Sequence, residues 1–140
     1  MTKMTCLLFL TMFVLHQVHC NSGLSVEDKC REETKLSETK FMASFREENI
    51  SEQDEEYGKH FHCVWLKRGL LNNDGSINKV KVGEFLENEI AQDFRLTDSI
   101  KEKFRKDAEE CSKIESSSVQ GKAVKLKNCI TSSIRSFVPS

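Results

Sequence analysis

Apolar residues recur along this chain at intervals of three and four, with Lys, Glu and Asp between them. That spacing places them on one face of successive helices. The clearest stripe is Ile100, Phe104, Ala108 and Cys111, opened by Thr97 as a cap. After a linker and cap at Ser116-Ser117-Ser118 comes a sixth helix, marked by Val119, Ala123, Leu126, Ile130, Ile134 and Phe137. Upstream, Phe61, Val64 and Trp65 mark a central third helix, which the Asn72-Asn73-Asp74-Gly75 run is expected to stop. Ile77, Val80, Val82, Phe85, Leu86 and Ile90 predict a fourth helix, weakened by Gly83. At the other end, Ser25-Val-Glu-Asp28 resembles a capping box and predicts a first helix through Cys30 to about Lys40. Phe41, Met42 and Phe45 continue an apolar face into a short second helix, and Ser51-Glu-Gln-Asp54 is a further helix-start signal before the central one. β-branched alternation is scarce, and the only proline is Pro139. The expected fold is all-α, about six short helices packed around an apolar interior.

Composition adds a compartment. Residues 1–20 carry Lys3 and then a mostly apolar stretch from Leu7 to Leu15, with Val18-His19-Cys20 before a cleavage point. This is the pattern of a secretory signal peptide, too short for a membrane span. Removing 20 of the 140 residues leaves 120, residues 21–140, as one helical domain with four cysteines: Cys30, Cys63, Cys111 and Cys129. An even count in a secreted chain reads as two disulfides, and spacing alone leaves three pairings open. The remaining charge is slightly acidic, with no basic face that suits nucleic acid, and no second long apolar run suggests a stable membrane anchor.

Few residues suggest chemistry. His60 and His62 lie about 200° apart on a helix, so they do not share a metal's ligand shell. A calcium loop over Leu70 to Lys81 would lack its opening acid and its closing glutamate. No nucleophile stands in a recognisable hydrolase motif, so the chain is not expected to be an enzyme and no cofactor is implied. Asn49-Ile50-Ser51 is a possible glycosylation sequon.

The cysteine spacing resembles that of the insect odorant-binding proteins, the pheromone-binding or general odorant-binding family. There, six cysteines pair first with third, second with fifth and fourth with sixth. Cys30, Cys63, Cys111 and Cys129 match the first, third, fourth and sixth; Lys59 and Gln120 stand where the second and fifth would be. Both absent members belong to one bridge, which resembles the four-cysteine "C-minus" branch. Cys63-Val-Trp-Leu-Lys-Arg-Gly-Leu-Leu-Asn-Asn-Asp-Gly-Ser-Ile77 is also similar to the family's third helix and following turn, although the interval from Cys63 to Cys111 is somewhat long for the pattern.

The resemblance implies bridges Cys30–Cys63 and Cys111–Cys129, with the sixth helix held against the third by packing alone. It also implies a secreted carrier of small apolar molecules (odorants, pheromones or related semiochemicals) in sensillum lymph, haemolymph or gland fluid. An olfactory receptor or a second copy of the chain are possible partners. The residues expected to wall the ligand are Phe45; Phe61 and Trp65; Val82, Phe85 and Leu86; Phe104 and Ala108; and Val119, Ala123, Leu126 and Phe137. In relatives the tail covers one mouth of the cavity, a role open to Phe137-Val-Pro-Ser140. His60 or His62 would be the source of any pH sensitivity. The competing reading is a secreted helical signalling or reproductive-fluid protein that uses the same scaffold to bind a receptor.

Overall fold

The structure, a computed structural model, describes residues 23–138. The expected signal peptide at residues 1–20, with Cys6 and Cys20, lies outside the described residues, as do Pro139 and Ser140.

Among the described residues six helices form, each started by a short polar side chain that accepts a hydrogen bond from a free N–H of the first turn. α1 spans Val26–Thr34 behind Ser25. α2 spans Glu38–Ser44 behind Ser37. α3 spans Glu55–Arg68 behind Asp54, whose carboxylate accepts from Tyr57 N–H at 3.0 Å. α4 is Lys79–Ala91 behind Asn78, α5 is Asp98–Ser112 behind Thr97, and α6 is Val119–Phe137 behind Ser118. The only extended pairing among the described residues is an isolated bridge between Leu71 and Ile77.

Four boundaries differ from the sequence expectation. α1 does not run to Lys40. Lys35 turns left-handed at φ 56°, and Leu36 N–H reaches back to Arg31 C=O at 3.1 Å, which buries Leu36. That closure satisfies the last carbonyls of α1 and leaves Ser37 free to start α2. α3 ends not at Asn72–Gly75 but at Gly69, whose φ of 75° suits a residue without Cβ, with Leu70 N–H closing on Trp65 C=O at 2.9 Å. The Asn72–Gly75 run instead turns the chain between Leu71 and Ile77, so Ile77 precedes α4. Ser51 does not cap α3; it makes a local turn with Gln53, and Asp54 does the capping. Gly83 leaves α4 unbroken.

Among the described residues the disulfides are Cys30–Cys63, tying α1 to α3, and Cys111–Cys129, tying α5 to α6, with Cα separations of 5.7 and 5.9 Å. α3 packs against α1 and α6, and α4 against α5. Between α4, α5 and α6 the interior is solid: Val82, Leu86, Phe104, Ala108, Ala123, Val124 and Leu126 are all buried. The α3–α6 seam is close, since a Cβ on Gly58 would meet Gln120 Cβ at 3.0 Å. Among the described residues no helix is long and apolar enough to cross a membrane.

Candidate functional site

α3 supplies the wall around which a cleft is built. Tyr57, Phe61 and Trp65 recur every four residues, so their rings share one face of the helix. Tyr57–Phe61 and Phe61–Trp65 stack with centroids 6.0 Å apart, and Trp65 meets the edge of Phe85 from α4 at 5.6 Å. Trp65 Nε1 donates to Ala123 C=O of α6 at 3.0 Å, which satisfies the indole's one donor and leaves its face apolar. Phe41, on α2, stands edge-on to His60 at 5.7 Å and to Phe45 at 5.1 Å.

All of these rings except Tyr57 line a cleft of about 560 Å³. That is within the range of small-molecule sites, roughly 300–1,000 Å³. Phe61, Val64 and Trp65 contribute from α3, Phe85 from α4, and Ile130 and Ile134 from α6. Phe41, Ser44 and Phe45 contribute from α2 and its end. Phe45 is 60% exposed, so this side of the cleft is open to solvent.

The polar lining is largely engaged in holding the fold. Arg68 donates twice to the Glu27 carboxylate, at 2.8 Å each, and its guanidinium sits 5.5 Å over the Phe85 ring. Ser44 Oγ donates to Phe41 C=O at 2.6 Å. Arg135 pairs with Glu48 and donates to Arg46 C=O at 2.7 Å. Two polar groups are less well served. His60 is 1% exposed, its Nδ1 has no hydrogen-bond partner among the described residues, and burial holds its pKa below the ordinary histidine value. Lys127 is 6% exposed; its Nζ donates to Glu47 C=O, and burial pushes its pKa below the ordinary lysine value.

Of the twelve expected wall residues, four line this cleft: Phe45, Phe61, Trp65 and Phe85. Val82, Leu86, Phe104, Ala108, Ala123 and Leu126 are placed in the packed interior instead. Val119 is 46% exposed at the start of α6. Phe137 is half-buried, edge-on to Phe94 at 5.5 Å and to Phe104 at 6.0 Å. An apolar stripe reports which residues are buried but not which of them face a void. Ile130 and Ile134 were legible on the α6 stripe and Phe41 on the α2 face, yet nothing in their spacing set them apart from core. Lys127 carried a readable signal: it is a charge set within the buried face formed by Ala123, Val124, Leu126 and Ile130.

The sequence profile of the PBP/GOBP family matches residues 17–133 of the chain. No curated protein and no solved structure matches it.

Proposed function

The chain belongs to the PBP/GOBP family of insect odorant- and pheromone-binding proteins, and on that premise we propose that it is a secreted carrier of a small hydrophobic molecule. In this reading residues 1–20 are a signal peptide, removed on secretion, and the carrier works in an extracellular fluid. The aromatic cleft on α3 is the binding site. Its walls take apolar ligand surface out of water, worth about 25 cal/mol per Å² before the entropy of association is subtracted. The observation that carries the reading is the Phe61–Trp65–Phe85 set, with Trp65 in ring contact with each of the other two and all three lining a void.

The chain also fits the four-cysteine branch. Lys59 and Gln120, which stand where the missing bridge would be, line one surface groove between α3 and α6. Exposed Asn49 is accessible to an N-glycan in the secretory route.

Displacement of a fluorescent apolar probe, read together with quenching of Trp65, tests the carrier. Saturable uptake that quenches Trp65 is expected. No uptake of any apolar probe would favour the receptor-binding reading, to which exposed Met42 and Phe45 would then contribute a contact patch.

A further inference from the structure

Three cations line the cleft, and two of them already have counter-ions: Arg68 in Glu27 and Arg135 in Glu48. Lys127 differs. It lies in the middle of α6, and no carboxylate stands within ion-pairing distance of its Nζ among the described residues. Among the described residues its only hydrogen bond is to a backbone carbonyl, that of Glu47, while the Glu47 carboxylate acts on it from farther away. An ammonium has three donors, so two are left without a partner among the described residues. Taking a charge out of water is costly unless a counter-charge is supplied, and among the described residues only the distant Glu47 carboxylate offers one, with no direct ion pair.

We infer that Lys127 selects the ligand's head group: the cleft takes an amphiphile with an alkyl chain and a carboxylate, whose oxygens pair with the Lys127 ammonium while the chain lies along Phe61, Trp65 and Phe85. The inference rests on the carrier reading and narrows it from any apolar molecule to a fatty-acid-like anion. A neutral alcohol or ester of equal length buries the same chain but leaves the ammonium without a counter-charge. A charge-assisted bond is roughly twice as strong as a neutral one, so head-group chemistry sets the preference. The acids on the cleft, Glu27, Asp28 and Glu89, come from α1 and α4. Glu27 is neutralised by Arg68, and Asp28 accepts from Ser25 Oγ at 2.8 Å. The carboxylate head is therefore directed to the α6 side.

The test is competitive displacement of an apolar fluorescent probe by dodecanoate, 1-dodecanol and methyl dodecanoate at neutral pH. The wild type is expected to bind dodecanoate about tenfold more tightly than either neutral ligand. Lys127→Met should erase that preference while still binding the alcohol, and Lys127→Arg should keep it. Equal or weaker binding of dodecanoate by the wild type overturns the inference and leaves the carrier reading standing. So does a Lys127→Met protein that still prefers the acid. Failure of the probe itself to bind removes both. If Lys127→Met does not fold, the wild-type comparison of dodecanoate with its methyl ester decides alone, because it removes the charge from the ligand instead.

Discussion

The side-chain amide of Asn128 takes both hydrogen-bonding groups of Ile50: Nδ2 donates to Ile50 C=O at 2.8 Å, and Ile50 N–H donates to Oδ1 at 3.0 Å. Its neighbour Lys127 holds Glu47 C=O, and Arg135 holds Arg46 C=O and the Glu48 carboxylate. α6 therefore fixes the segment between α2 and α3, whose own backbone bonds, such as Glu47 N–H to Ala43 C=O and Asp54 N–H to Ser51 C=O, do not reach Ile50. Ile50 is buried as a result. Asn128→Ala would leave an N–H and a C=O without partners in a half-buried place, at a cost of about 2 kcal/mol. A lower urea midpoint and faster amide exchange at Ile50 are the expected readings. Unchanged exchange there would mean that Lys127 and Arg135 suffice.

A second prediction concerns the α3–α6 seam. Lys59 and Gln120 line the same groove, one residue away from the close approach of Gly58 to Gln120. Lys59→Cys with Gln120→Cys is expected to close a disulfide under oxidising conditions and raise the thermal midpoint. The chain-entropy argument gives about 4 kcal/mol as an upper bound. Thiol titration and intact mass report the bridge, and a calorimetric scan reports the gain. No bridge, or a bridge without a gain, would count against the assignment of these two positions to the missing pair.

Much of this fold was legible before any coordinates. The Ile100–Phe104–Ala108–Cys111 stripe, the Thr97 and Ser118 caps and the all-helical class needed only spacing and side-chain chemistry. The disulfide pairing needed more, because four cysteines alone leave three possibilities; it came from the family resemblance. The helix ends were harder. Lys35 in a left-handed conformation carries none of the glycine signal that such a stop usually shows, and its closure depends on burying Leu36. Asn72–Gly75 is a stronger turn signature than the lone Gly69, yet Gly69 ends α3 and the Asn72–Gly75 turn serves the Leu71–Ile77 bridge. The cleft was the least legible part. Phe85 and Leu86 are adjacent on α4, and only packing against α3 and α5 decides that the first faces the void and the second the core.

His60 sets a pH dependence of stability. Its ring is buried against Phe41 and Phe61, and desolvation disfavours the imidazolium; Glu27 pulls the other way and Arg31 adds to the depression. The folded protein thus resists a proton that the unfolded chain accepts near the ordinary histidine pKa of about 6.5. Below that pH the unfolded state binds more protons, so stability falls as pH falls and is fully present above it. Urea unfolding at pH 7.5 and pH 5 should show the loss, and His60→Phe should reduce the difference between the two. An equal difference in the variant would assign the effect to other groups.

The last prediction separates cleft from core with two substitutions on neighbouring layers. Ile134 lines the cleft and is half-buried, so Ile134→Trp can fill the void without displacing a packed neighbour. It should abolish probe uptake while changing stability by no more than about 1.5 kcal/mol. Leu86 is completely buried between α4, α5 and α6, away from the cleft, and Leu86→Ala removes three carbons from a filled interior. It should cost about 2–5 kcal/mol in urea unfolding and leave the folded fraction's affinity for the probe unchanged. The opposite outcome, with Leu86→Ala altering affinity and Ile134→Trp leaving it intact, would move the binding site into the layer of Val82, Leu86 and Phe104. That would require the interior to open when a ligand enters. Because the two readouts are independent, one pair of variants decides whether the aromatic face of α3 holds the guest or only supports the helices that do.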